Sequence, residues 1–258
     1  MEALLTGTEL LPEGLELAVA LIGLTLGGFS KGALGVGLPL IAVPILALSM
    51  PVANTVAIMT APIFLTNIYQ AFRGGLLPDV LRRYGTIGAG MVAGTAIGSQ
   101  ILITLNESTL YLIMGILVLS LPLARLLRIN REIKPTTQKW LGPLFGLLGG
   151  AVGGISGFWG PIVLVYLVAL RMPKDLFAAT VGFLFSVASI AMSVFLTGHG
   201  VMDAEHFISS LLACIPVFFG IYLGQRVRDR ISQVQFERAL SITMTVIGLS
   251  LLYRSVAF

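Results

Sequence analysis

Only 11% of the 258 residues are charged and 56% are hydrophobic, whereas about a quarter of the residues in a water-soluble domain carry charge, so a soluble fold is excluded. At about 20 apolar residues per crossing, the chain has room for roughly ten membrane segments and no separate soluble domain, which confines its function to the membrane layer. The net charge of +4 comes from basic residues that lie mostly in short loops, where orientation in a bilayer accounts for them and no nucleic-acid partner is implied.

In chain order, the first dozen residues hold Glu2 and Glu9 and no Lys or Arg, so they lack the basic start of a cleavable signal peptide and are expected to stay attached. Apolar segments follow at 15–30, 34–49, 52–72, 84–104 and 108–127. Between the third and fourth lies a basic loop, 73–83, with Arg73, Arg82 and Arg83; the turn near Glu107 is poor in positive charge. The stretch 125–139 is the most basic, with Arg125, Arg128, Arg131, Lys134 and Lys139. Five more apolar segments run at 140–153, 157–170, 175–197, 206–224 and 238–256. Their connections carry Arg171 and Lys174, then the acidic pair Asp203 and Glu205, then Arg226, Arg228, Arg230 and Arg238. The positive-inside rule makes the basic loops cytoplasmic and puts both termini outside, with Arg254 the lone exception. Cys214, the single cysteine, lies in an apolar run and reads as a small core residue, so disulfides within the chain and CxxC chemistry are excluded.

Two neighbouring pairs, 15–30 with 34–49 and 140–153 with 157–170, are short. About 14 residues rise some 21 Å, against a hydrocarbon core near 30 Å, so each pair reads as a re-entrant hairpin or a pair of broken helices. The same regions carry an internal repeat. At a shift of 122, Gly27 to Ala57 aligns without a gap on Gly149 to Ala179, with identities at eleven of 31 positions: Gly27, Gly28, Gly32, Gly35, Pro39, Val43, Ala47, Leu48, Met50, Pro51 and Ala57. Such a composition gives roughly three by chance. Gly94 and Gly98 also match Gly220 and Gly224 at a slightly larger shift. Five segments per unit is an odd number, so the second copy enters the membrane from the opposite side. The expected fold is an all-α membrane protein of two inverted-topology repeats, 1–128 and 140–258, joined by a cytoplasmic linker at 129–139, with Gly-rich broken or re-entrant pairs meeting near the midplane.

Glycines at such breaks allow unusual backbone angles, and Pro39 and Pro161 suit the first turn of a restarting helix, whose free N–H groups then favour an anion. Glycine in membrane helices also serves close helix packing, the commoner role for any one of them. Lys31 is the one charged residue set well inside an apolar stretch, a costly placement that points to contact with an anion; snorkelling toward the cytoplasmic side is the alternative. Asn54, Asn67 and Gln70 bring uncharged polar groups to the third segment, Asn67 and Gln70 on one helical face, and Ser186 and Ser189 repeat that spacing. The candidate substrate-binding set is Ser30, Lys31, Gly32, Gly35, Gly37, Asn54, Asn67, Gln70, Ser156, Gly157, Phe158, Trp159 and Gly160. Trp159 and Tyr166 offer polar-tipped aromatics that close over a ligand or simply pack. His199, His206, Asp203 and Glu205 share an outer loop, read as solvated rather than as a metal site. No cofactor is implied, and no nucleophile, base and acid gather at membrane depth, which argues against an enzyme.

The tract Gly28, Lys31, Gly35, Gly37, Pro39, followed by Pro51, Asn67, Arg73-Gly74-Gly75 and then Gly149 to Pro161, resembles the TauE/SafE family of sulfite and organosulfonate transporters over nearly the whole chain. The resemblance implies a bacterial or archaeal inner-membrane carrier of a small sulfur-containing anion, sulfite or a sulfonate, working by alternating access. An anion channel and a non-transporting membrane assembly factor are the competing readings. Proton coupling has no obvious acid at depth; Glu16, near one end of the first segment, is the nearest.

Overall fold

The computed structural model describes residues 13–126, 135–228 and 233–257. Glu2, Glu9, Arg128, Arg131, Lys134 and Arg230 lie outside them. The described residues form ten helices: α1 (Glu13–Leu34), α2 (Leu38–Leu46), α3 (Val52–Phe72), α4 (Leu77–Thr104), α5 (Glu107–Leu126), α6 (Pro135–Ser156), α7 (Gly160–Ala169), α8 (Lys174–Gly198), α9 (Ala204–Val227) and α10 (Gln233–Ala257). Five stretches are long and apolar enough to cross a membrane: Gly14–Leu34, Val52–Phe72, Leu77–Thr104, Lys174–Gly198 and Ala204–Val227.

The centre is built from α3 and α8, the most buried of these, at 56% and 61% of their apolar windows. They pack on each other; α1 packs on α9, α6 on α4, α5 on α10, α4 on α8 and α3 on α9. Outer helices turn Leu21, Ile22 and Leu26 of α1, or Ile208, Leu212 and Ile215 of α9, outward, the surface a lipid solvent requires.

Glycine decides how close the flanking pairs come. A Cβ on Gly28 or Gly32 would strike the carbonyls of Val217 and Ile221 on α9, and one on Gly220 or Gly224 would strike those of Thr25 and Phe29 on α1. Gly94 and Gly98 of α4 meet Leu147 and Ala151 of α6 in the same way. Lipid tails are as apolar as leucine, so close backbone approach of this kind is what holds such helices together.

Two expectations are corrected here. The first members of the two short pairs are longer than the hydropathy implied: α1 and α6 each have 22 residues, about 33 Å, although only α1 is apolar over a length that crosses a membrane, α6 being apolar over Trp140–Ser156. Gly27, Gly28 and Gly32 stay helical because they serve the crossing with α2 and α9, and the chain breaks only at 35–37 and 157–159. Arg82 and Arg83 belong to the first turns of α4 rather than to a loop, since Gly74 (φ 84) and Gly75 (φ 69) turn the chain within a few residues of α3. Gly157 of the second break lies against Val56 of α3 and Val43 of α2, six residues along α2 from Gly37 of the first.

Candidate functional site

The first break is polar and incompletely satisfied. Lys31, 8% exposed, reaches from α1 to α3, where its Nζ donates to Asn67 Oδ1 at 2.7 Å. Asn67 Nδ2 donates to Ile63 O at 2.8 Å, which holds the amide oxygen toward Lys31. Among the described residues, no carboxylate lies within ion-pair distance of Lys31. Ser30, fully buried, has a hydroxyl without a hydrogen-bond partner. That hydroxyl lies beside Gly37, where a Cβ would stand 2.5 Å from Ser30 Oγ.

Gly37 (φ 108) caps α2 without any side-chain hydrogen bond, and Pro39 occupies its first turn as expected of a restarting helix. The first-turn N–H groups of a helix have no intrahelical acceptor and carry the positive end of its dipole. A buried hydroxyl beside Gly37, a buried amine on Asn67 Oδ1 and a helix N-terminus thus all belong to the short stretch 30–38 around this break. A partnerless hydroxyl, an amine held only by a neutral amide oxygen and a helix N-terminus suit an oxyanion. Gly35 (φ 79) closes α1 through a bond from its N–H to Lys31 O, 2.8 Å, and meets no neighbour. Gly32 is explained by the close crossing with α9.

The second break has different chemistry. Gly157 (φ 69) closes α6 by donating to Gly153 O. Trp159 is 1% exposed; its indole lies on Gly153, where a Cβ would overlap the ring, and its Nε1 donates to Thr95 Oγ1 at 3.0 Å. Its ring tilts against Phe185, with centroids 6.1 Å apart. Ser156 Oγ is spent on Val152 O, Phe158 is buried, and Gly160 abuts the Phe158 ring. At the shift of 122, Gly153 stands where Lys31 does and Trp159 where Gly37 does. An aromatic plug thus fills one break where the other has an amine and an open backbone.

The remaining candidates separate. Gln70 Nε2 donates to Ala178 O at 2.9 Å, joining α3 to α8. Asn54 lies in the first turn of α3, thirteen residues and about 20 Å of rise from Asn67, so it does not share the Lys31 site. Ser186 and Ser189 return their hydroxyls to Gly182 O and Ser186 O, and Tyr166 donates to Gln138 O while stacking on Phe145. In the loop between α8 and α9 Asp203 caps α9: its Oδ1 accepts from His206 N at 2.9 Å and lies 2.8 Å from His206 Nδ1. Those bonds hold its carboxyl below the usual carboxylate range. Among the described residues no group of His, Cys, Asp and Glu is arranged to hold a metal.

Sequence reasoning missed Thr95, which sits beside Gly94 in an unremarked small-residue stretch, and the cluster at the N-terminal end of α5. There Glu107 Oε2 accepts from Val52 N at 3.2 Å, so it caps α3, and Tyr111 hydrogen-bonds the side chains of both Glu107 and Arg254. Arg254, the lone exception to the charge rule, is thus engaged by this cluster.

The family described as sulfite exporter TauE/SafE matches residues 19–251. The chain is also similar to the probable inner membrane transporter protein TsaS of Comamonas testosteroni, with 27% identity over 172 residues, 66% of this chain and 71% of that protein. No solved structure matches.

Proposed function

The chain belongs to the sulfite exporter TauE/SafE family, so it is a multi-pass membrane transporter and not an enzyme, and from that premise we propose that it carries a small sulfur-containing anion, a sulfonate or sulfite, by alternating access. The observation that carries this reading is the donor cluster at the first break: Lys31, the unpartnered Ser30 hydroxyl and the N-terminus of α2. A sulfonate or sulfite presents several oxygens to such donors, and its charge offsets that of a buried lysine. Asn67 serves as the resting partner of Lys31, and the second break, with Ser156, Gly157, Phe158, Trp159 and Gly160, works as a packed pivot.

Alternating access in this reading comes from two inverted repeats, 1–128 and 140–258, with 129–139 as the cytoplasmic linker. Their support is the repeated order of helices and the exchange of partners: α1 packs on α9 as α6 packs on α4, and α3 on α9 as α8 on α4. We place the chain in the cytoplasmic, inner membrane of its cell with both termini outside. With no carboxylate near Lys31 among the described residues, coupling is to a proton that arrives with the substrate, or transport is uncoupled.

Thermal unfolding of the purified protein against sulfite, thiosulfate, taurine, sulfoacetate, aromatic sulfonates and matched carboxylates tests this, because a ligand that binds only the folded state raises Tm. Stabilisation by a sulfonate and not by its carboxylate twin is the expected result. Silence across the panel removes the carrier reading in favour of a membrane assembly factor, and flux without saturation or counterflow turns it into a channel.

A further inference from the structure

A cleft of about 700 Å³ opens between α1 and α9, lined by Phe29, Leu223, Arg226 and Val227. Arg226 lies in the last turn of α9, followed by the exposed Arg228, and so at the end of α9 that the charge pattern assigns to the cytoplasmic side. Its guanidinium carbon sits 4.4 Å above the centroid of the Tyr222 ring. That stacking occupies the flat face and leaves the N–H edge, and among the described residues the guanidinium donates to no acceptor. The other walls are apolar. A cationic donor edge at the membrane boundary, continuous with an apolar groove, matches a lipid better than it matches a soluble ion.

We propose that this cleft binds an anionic phospholipid of the inner leaflet, its phosphate on Arg226 and an acyl chain along Phe29, Leu223 and Val227. A second copy of the chain fits less well, because a two-fold contact there would bring one Arg226 against the other. The bound lipid spans the α1–α9 contact and stabilises that helix pair whether or not the carrier is loaded.

The test is native mass spectrometry and thermal unfolding of delipidated protein with phosphatidylglycerol, phosphatidylcholine or soluble glycerol phosphate. Phosphatidylglycerol is expected to be retained roughly fivefold better than phosphatidylcholine and to raise Tm, with glycerol phosphate inert. Arg226→Gln is expected to abolish that preference, Arg226→Lys to keep most of it, and Leu223→Trp, which fills the groove, to release both lipids. The proposal is overturned if Arg226→Gln keeps the wild-type preference, if glycerol phosphate stabilises as well as the lipid, or if the delipidated protein instead forms a dimer that Leu223→Trp disrupts.

Discussion

Lys31 Nζ and Asn67 Oδ1 meet 2.7 Å apart, and the second bond of Asn67, to Ile63 O, fixes which end of its amide faces the amine. The pair ties α1 to α3 with a neutral acceptor where an ion pair would have used a carboxylate. A neutral partner leaves the amine available to an anion. Asn67→Asp should therefore install a permanent competitor: anion affinity is expected to fall at least about tenfold, while Tm without ligand holds or rises. Lys31→Met should abolish saturable binding without unfolding the protein, because it replaces a buried polar group by an apolar chain of similar length. Isothermal titration with the best-binding sulfonate measures both, and wild-type affinity in Lys31→Met would remove this pair from the site.

Ser30 separates binding from packing. Its unpartnered buried hydroxyl costs stability in the empty protein, so Ser30→Ala should raise the ligand-free Tm, by an amount corresponding to roughly 1 kcal/mol, and shrink the shift produced by the anion. A structural hydroxyl would move both in the same direction. Gly37→Ala should be harmful in every assay, since its Cβ meets Ser30 Oγ and φ 108 is unfavourable for any side chain.

The order of helices was legible from hydropathy and from the Pro and Gly positions because each of these acts locally. Pro39, Pro51, Pro161 and Pro173 stand at helix starts, and the order of ten segments became ten helices. The site was only half legible. Lys31, Ser30, Asn67 and Gly37 were singled out individually, but the pairing of Lys31 with Asn67 and of Ser30 with Gly37 is a tertiary fact without a local signature. For the same reason Gly28 and Gly32 looked like a break when they are a crossing: glycine permits both, and only the helix on the other side decides. The non-equivalence of the two breaks rests on two aligned positions, Lys31 against Gly153 and Gly37 against Trp159, whose ring fills the notch at Gly153.

The crossing glycines give the sharpest stability contrast. Gly28→Val must push Val217 and its backbone away from α1, and overpacking of this kind costs about 1–3 kcal/mol. Gly85, in α4, has nothing within 4 Å of where a Cβ would stand, so Gly85→Ala should gain roughly 0.5–1 kcal/mol from helix propensity alone. Folded yield and Tm in detergent measure the pair; equal effects would mean that the α1–α9 contact is not made as described.

Trp159→Phe keeps most of the ring in its notch and removes one bond, leaving Thr95 Oγ1 without its donor. The expected loss is about 0.5–1.5 kcal/mol in stability, with the sulfonate-induced Tm shift unchanged. If the shift disappears with this substitution, the anion occupies the second break and the proposed assignment of the two breaks is reversed.

Asp203 offers a pH test outside the membrane segments. Its carboxylate accepts the N–H of His206 at the start of α9 and faces the His206 ring, and these contacts hold its proton affinity below the usual carboxylate range. A group depressed in this way stabilises the fold above its unfolded titration range, and the stabilisation fades as pH falls through that range toward the lower folded value. The difference in Tm between wild type and Asp203→Ala should accordingly be largest near neutral pH and shrink in acid. Asp203→Asn, which still accepts the capping bond, should lie between them near neutral pH and lose little in acid. A constant gap between wild type and Asp203→Ala at all pH values would show that the side chain caps α9 without its charge contributing.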